Sequence, residues 1–308
     1  VSRLKPTIKE IFGTDPATRD AATQEDFERH FYSRLRLANG VYKTTHTRRF
    51  GDVNRLVNGL LPRGRRLEIL DVGISSGIST LEWLDALRED GIDANVVGGD
   101  LDLTAYLISV GSWLDVLVDR NGYVLQMDLG PRSITNHLRH PLLRHVLLAA
   151  PMWCLNTAFA LFWTASPKLR RHVATNGGEV TLGSGIRCRP LSLLSPRLRG
   201  DAGIFVEDDI VVNTERYADR FDAIRAANVL NWYLDAEMLV RMFETLRRRL
   251  RVGGLLVLCR TDLHERNRGT IFRMNERREF EVVSRVTGGS EIERFVLSGG
   301  DPAALRRR

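Results

Sequence analysis

Cysteine is scarce, and the few present stand far apart at Cys154, Cys188 and Cys259. An odd count at such spacing builds neither a disulfide framework nor a Cys-x-x-Cys metal knuckle, and it suits a reducing cytoplasm. Lysine is rare for so basic a chain. Of 45 basic side chains only 4 are lysine and 41 are arginine, so the net charge of +7 is almost wholly guanidinium. The arginines are scattered along the chain, and no basic stripe with interleaved aromatics appears, which argues against a nucleic-acid surface. An apolar core is missing from the first twenty residues, which carry Arg3, Lys5, Lys9 and Glu10, so no secretory signal is expected there. Gly-X-Y triplets, glutamine-rich tracts and internal repeats are absent too. With 43% apolar and 27% charged residues over 308 positions, the chain has material for one large α/β domain with an extension, or for two small domains.

The pattern along the chain predicts an N-terminal helical cap over residues 1–62, in which Phe27, Phe31, Leu35 and Ala38 fall at helical spacing before an Asn39-Gly40 stop. From Arg66 the period changes. Leu67 to Val72 reads as a strand that ends in a Gly/Ser turn and feeds a helix over about 76–89, followed by a second strand at Ala94 to Val97. Strand, helix, strand at this spacing is a parallel crossover unit. The later half repeats the theme with a strand at Phe221 to Ile224, a helix from about Asp235 to Leu250 stopped by Gly253-Gly254, and a strand at Leu255 to Cys259. Residues 260–273 read as a polar loop, and Phe280 to Val286 with Ile292 to Leu297 as a closing hairpin. The expected fold is therefore α/β: a doubly wound, mostly parallel Rossmann-like sheet over 63–300 ending in an antiparallel hairpin, with a tail at 301–308.

The stretch 121–202 fits no sheet on this reading and is expected to be a largely helical apolar insert. Within it, residues 146–166 carry no charge and are flanked by basic residues such as Arg144 and Lys168. A single crossing of a bilayer would put the flanking strands on opposite sides of the membrane, where they cannot share a sheet. The segment is thus a lid, a core helix broken near Pro151 and Asn156, or a peripheral contact with a membrane surface.

Chemistry points to the turn Asp71-Val72-Gly73-Ile74-Ser75-Ser76-Gly77. Glycine at 73 permits a tight bend and close approach of a ligand, glycine at 77 permits close helix packing, and the amides opening the helix offer donors to a polar ligand. Asp100 ends the second strand, where a carboxylate can accept two hydrogen bonds from a ribose diol. Together they indicate a nucleoside cofactor. The dinucleotide pattern Gly-x-Gly-x-x-Gly is not met, because Ser75 stands where its middle glycine would be.

On these residues the chain resembles the class I S-adenosylmethionine-dependent methyltransferases over about 66–110 and 203–297. The resemblance implies S-adenosyl-L-methionine as cofactor, held by Asp71, Gly73, Ile74, Ser75 and Gly77, by Asp100 and Leu101 at the ribose, and by Asp209 and Ile210 near the adenine. Asn228 would shape the pocket from the fourth motif, Phe221 to Asn231. Asp128, after Tyr123 to Met127, is the alternative adenine acid. Ile74 to Gly77, Gly99 to Asp102 and Asn228 to Leu230 are also similar to the chemotaxis receptor glutamate methyltransferases, as is Thr44 to Thr47. The chain departs from that pattern at His46-Thr47, Ile78 and Ala227, where it lacks the expected polar groups.

Methyl transfer from such a cofactor needs an acceptor held in line and no special nucleophile. Asn228, Asn231, Trp232 and Tyr233 are expected beside the methyl, and His46 and Tyr233 are the candidate bases for a hydroxyl acceptor. The absence of Pro-Pro-Tyr after Asn228 disfavours amine methylation. A small-molecule or lipid-like acceptor, methylated on oxygen or carboxyl, is the leading expectation. A protein carboxyl or RNA methyltransferase, and a non-catalytic nucleoside-cofactor-binding module, are the alternatives. His137, His140 and His145 lack an acidic partner between them, and no metal is expected.

Overall fold

The computed structural model describes residues 5–15, 18–38, 42–43, 47–135, 154, 157–167, 171, 178–182, 185–198, 204–262 and 264–305. In chain order these give α1 (Ile8–Phe12), α2 (Ala21–Tyr32), α3 (Gly51–Leu60), β1 (Leu67–Val72), α4 (Ile78–Glu89) and β2 (Ala94–Asp100). Six strands follow: β3 (Thr104–Val110), β4 (Leu114–Val118), β5 (Val124–Leu129), β6 (Arg132–Thr135), β7 (Val180–Leu182) and β8 (Ile186–Ser192). The chain then forms β9 (Phe205–Glu207), β10 (Phe221–Ala227), α5 (Ala236–Arg249), β11 (Leu250–Thr261), β12 (Asn267–Met274), β13 (Phe280–Val286) and α6 (Glu293–Leu297). It divides into two compact units, one of residues 1–45 and 102–200, the other of 46–101 and 201–308.

The second unit carries a seven-stranded sheet in the order β13-β12-β11-β10-β1-β2-β9. Strands β9, β2, β1, β10 and β11 are parallel, and β12 and β13 close the edge antiparallel. Both faces are covered. On one, Val53 and Val57 of α3 and Trp83, Leu84 and Leu87 of α4 pack on Ile69, Val96, Ala223 and Val257. On the other, Leu239, Met242, Phe243 and Leu246 of α5, with Phe295 and Val296 of α6, pack on Leu70, Ile224, Leu256 and Phe272. Burial from both sides explains why these strands read as apolar runs without alternation. The order reverses at β1, with β2 on one side and β10 on the other, and a doubly wound sheet opens a crevice at such a point beyond the carboxyl ends of its strands. The Rossmann-like sheet and its closing hairpin match the expectation from sequence.

The hairpin lies one limb earlier than expected. Residues 267–274 are β12, paired with both β11 and β13, and the stretch expected as its second limb contains helix α6. Exposed Arg268 and Arg273 gave 260–273 a polar look, although Thr270, Ile271, Phe272 and Met274 are buried. The helix before β11 also ends sooner: α5 stops at Arg249 and the chain enters β11 directly, so Gly253-Gly254 lies inside the strand.

The first unit corrects the expected insert. It begins at residue 102 and not at 121, and the strands expected to be helical form an antiparallel sheet in the order β6-β5-β4-β3-β8-β7. Alternation decides this. Ala105, Leu107, Leu117 and Leu125 point to one face, where Ile8, Ile11, Phe31, Tyr32 and Leu35 cover them, and the intervening Tyr106, Ile108, Val116, Val118 and Val124 point to the other. The N-terminal cap is correspondingly split. Residues 1–45 supply α1 and α2 to this unit, and α3 belongs to the second. Helix α2 ends at Tyr32, short of the predicted stop, and Leu35 is buried beyond it.

Of the uncharged run 146–166, the described residues 157–165 are helical. Trp163 is 1% exposed, stacks at 4.7 Å on Tyr106, and donates its indole N–H to the Arg120 carbonyl at 2.8 Å, so this helix covers the sheet's second face. Leu161, on the same helix, is 64% exposed. Among the described residues no helix is long and apolar enough to cross a membrane. Pro151, Asn156, His137, His140 and His145 lie outside the described residues.

Candidate functional site

The turn after β1 is left-handed at three places, Gly73 (φ 72°), Ser75 (φ 59°) and Gly77 (φ 82°). A Cβ on Gly73 would stand 2.2 Å from Cγ2 of Val229, so glycine is required there both by conformation and by the approach of the segment following β10. For serine the left-handed region costs roughly 1–2 kcal/mol. The neighbouring strand holds it in place: the Ser75 N–H donates to Asp100 Oδ2 at 2.7 Å, and the Gly73 N–H donates to the Gly99 carbonyl at 2.8 Å. The bend and the acid at the end of β2 are therefore in direct contact, at the carboxyl edge of the parallel strands. Asp100 is half-buried and Leu101, next to it, is 39% exposed.

Asn228 (φ 60°), left-handed like Ser75, directly follows β10. Its N–H donates to the Cys259 carbonyl at 2.8 Å, and its Oδ1 accepts from the Thr261 N–H at 2.9 Å. The side chain thus ties the carboxyl ends of β10 and β11 together. Asn231 Oδ1 accepts from the Tyr233 N–H at 3.0 Å. Beyond it Trp232 and Tyr233 stand out at 57% and 64% exposure, with ring centroids 4.2 Å apart.

The remaining residues expected to bind ligand make the following contacts within the chain. Asp71 is 2% exposed; Arg225 donates to its two oxygens from Nε (2.9 Å) and Nη2 (2.6 Å), and the Thr80 hydroxyl donates to Oδ2 at 2.7 Å. Its carboxylate braces the turn from beneath, and the expectation that it binds cofactor directly is corrected. Ile74 is buried against β2, where a Cβ on Gly98 would meet its Cδ1 at 3.2 Å. Ile210 is buried in the core that includes Leu239 and Phe243 of α5. Asp209 is exposed just past β9, and its Oδ1 accepts from the Val211 N–H at 2.9 Å. Asp128 sits on β5 in the other unit, where its buried carboxylate accepts from the Ile8 N–H at 2.5 Å and from Gln126 Nε2 at 2.9 Å. Those contacts make it a support for the N-terminal segment. His46 lies outside the described residues.

Arg225 carries no mark in the sequence. It is 0% exposed, with Cζ 4.4 Å from the Trp83 ring, and Nη1 donates to Asn54 Oδ1 at 2.6 Å. The one available signal is its register, because residue 225 pairs with residue 71 on adjacent parallel strands. Arg260 and Arg268, from the stretch expected as a polar loop, line a cleft of about 160 Å³ with Glu291, beside Leu230 and Cys259. Burial pushes the Cys259 thiol up to about 12.

No protein-family model and no curated protein sequence matches this chain. Among solved structures it is similar to the CMeT domain of the citrinin polyketide synthase (15% identity, TM-score 0.30), with 67% of this chain covering 32% of that one. It is similar to the trans-methyltransferase CalH in complex with SAH (15%, 0.31), covering 78% of this chain and 40% of that one. A third is the PH0226 protein of Pyrococcus horikoshii OT3 (12%, 0.32), covering 81% of this chain and 79% of that one. At TM-scores near 0.3 these likenesses carry no weight for what this chain does.

Proposed function

We propose that the second unit is an S-adenosylmethionine-dependent methyltransferase acting on a small-molecule or lipid-like acceptor, at an oxygen or carboxyl group. The supporting observation is the 2.7 Å hydrogen bond from Ser75 to Asp100, which joins a left-handed Gly/Ser turn to a strand-end acid at the sheet's switch point. The residues fit the cofactor. The turn is free of a Cβ at Gly73 and Gly77, α4 begins immediately behind it, and Asp100 is half-buried at the end of β2. In this reading Asp100 takes the ribose diol, Asp209 the adenine amine, and the amides of the turn the remaining polar end. When bound, S-adenosylmethionine supplies a methyl already activated by its sulfonium.

The chain's own residues then have to orient the acceptor and exclude water. Asn228 and Asn231 set the backbone at the end of β10, and Trp232 and Tyr233 provide the surface on which an acceptor lies. A carboxylate acceptor needs no base. For a hydroxyl acceptor, His46 and Tyr233 are the groups that would receive the proton. A lipid-like acceptor is supported by exposed Leu161 in the uncharged run 146–166, through which the chain would touch a membrane surface.

Titration calorimetry with S-adenosylmethionine tests the reading. Saturable binding by the intact chain, weakened at least tenfold in Asp100→Ala, is expected, followed by label transfer from a methyl-labelled cofactor into one fraction of a cell lysate separated into lipid, protein, RNA and small metabolites. Absence of binding overturns it. Binding without transfer to any fraction overturns the enzyme and leaves a cofactor-binding module.

A further inference from the structure

The cleft beside Leu230 adjoins the proposed cofactor turn, because Val229, the residue before, is the one that crowds Gly73. It opens between the ends of β10 and β11 on one side and the 287–291 turn after β13 on the other. Two arginines, Arg260 and Arg268, and two carboxylates, Asp262 and Glu291, line it. Asp262 is occupied by its own loop, accepting from the Arg266 and His264 N–H groups and pairing with the Arg266 guanidinium at 3.2 Å, which holds its carboxyl below the ordinary range. Glu291 pairs with Arg260 at 3.1 Å. Arg268 is exposed, donates from Nε to the Thr287 carbonyl at 3.2 Å, and has no carboxylate partner among the described residues. Both carboxylates of the lining are thus engaged by other arginines, and the Arg268 guanidinium is the group on the cleft wall open to an anion.

Two contacts join this cleft to the exposed aromatic pair. Glu291 Oε1 accepts from the Trp232 N–H at 3.3 Å while pairing with Arg260, and Arg260 places its Cζ 5.0 Å from the centre of the Tyr233 ring. Arg260, beneath the Tyr233 ring, is the register partner of Arg268 on the neighbouring strand β12, and an exposed π-face with a guanidinium one strand away has a complementary ligand: a flat ring bearing an anion. We propose that the methyl acceptor of this protein is an aromatic acid, its ring on Trp232 and Tyr233 and its anionic group on Arg268. This rests on the methyltransferase reading for its consequence, although the binding site stands on its own residues.

The test uses the full chain, with binding followed by calorimetry and tryptophan fluorescence, in the presence and absence of S-adenosylhomocysteine. The probes are 4-hydroxybenzoate, phenyl phosphate, neutral 4-hydroxybenzamide and the non-aromatic cyclohexanecarboxylate. Saturable binding of at least one aromatic anion is expected, at least tenfold tighter than the amide and the cyclohexane acid, with the carboxylate and phosphate arms telling which anion is preferred. Arg268→Gln should reduce affinity for the anion about tenfold and leave the weak binding of the amide unchanged. Trp232→Leu should remove the preference for the aromatic ring. Arg277→Gln, on the distant turn before β13, serves as the charge control and should change nothing. The proposal is overturned if neither aromatic anion saturates, if the amide binds equally, or if Arg268→Gln and Arg277→Gln behave alike. Loss of S-adenosylmethionine binding with the aromatic anion still bound would sink the methyltransferase reading and leave this site standing; cofactor binding without anion binding would do the reverse.

Discussion

The guanidinium of Arg225 on β10 meets the carboxylate of Asp71 on β1 with two hydrogen bonds, 2.6 and 2.9 Å, inside a sheet where both side chains are at most 3% exposed. Removing one partner of such a pair leaves an uncompensated buried charge, a loss of about 3–5 kcal/mol. Asp71→Ala is therefore expected to lower the free energy of unfolding in urea by that amount. The double variant Asp71→Leu with Arg225→Met leaves no charge unpaired, and should lose less than the sum of its single changes. A loss below about 1 kcal/mol in Asp71→Ala would mean that water reaches the pair in solution.

Gly73→Ala confronts two obstacles that separate experimentally. The new methyl would overlap Val229, and the left-handed backbone would remain strained for any L side chain. Adding Val229→Ala should restore the space and leave a deficit of roughly 1–2 kcal/mol from the backbone alone. Melting temperature and S-adenosylmethionine affinity measured on both variants check this; full recovery in the double variant would show that conformation plays no part.

Acid should act in opposite directions through two buried carboxylates, Asp222 of the second unit and Asp128 of the first. Burial pushes Asp222 up, but hydrogen bonds from Arg65, the Glu68 N–H and Arg251 outweigh it and hold the carboxyl below its ordinary 3.8. Its contribution is complete above that value and disappears as pH falls through the lowered one. Asp128 is raised, first by burial and further by Asp115, against the Ile8 and Gln126 hydrogen bonds. Its ionisation opposes folding, so the first unit loses stability as pH climbs from 3.8 to the raised value and is level above it. Thermal melts from about pH 3 to 6 should show a steeper acid limb in the native chain than in Asp222→Asn. Identical limbs would remove Asp222 from the account.

Thiol reactivity offers a simple check on burial. Cys188 and Cys259 are buried, and desolvation lifts their thiols to about 11 and about 12, whereas Cys154 is exposed. A thiol reagent such as dithionitrobenzoate should modify Cys154 alone in the native chain and all three cysteines in denaturant. Fast modification of a second cysteine would place solvent where the core is described.

The sequence made the crossover units readable wherever turn chemistry bounded them. Gly73 to Gly77 marked the end of β1, Gly98-Gly99-Asp100 the end of β2, and the stripe from Leu239 to Leu246 announced α5. The first unit was opaque for a physical reason. Its strands alternate between two covered faces, both apolar, so Leu107 and Ile108 read alike although they point in opposite directions. The uncharged run that includes Trp163 has the composition of a helix, and Gly111, a left-handed turn residue between β3 and β4, is the sequence mark of a hairpin there. Within the candidate site, Asp100 was legible because its chemistry is that of a ligand acceptor. Arg225 was not: in a chain with 41 arginines, one more inside a strand carries no mark until register sets it against Asp71.

The path of the chain through the two units has a consequence for its birth on the ribosome. Ile8, Phe31 and Tyr32 share a core with Leu107, Leu191 and Leu193, so α1 and α2 stay without a complete hydrophobic home until the chain has been made as far as Leu193. Strands β1 and β2 likewise wait for β10 and β11. Translation therefore exposes two half-built cores at once, their segments alternating along the chain, and each closes only when its second segment has emerged.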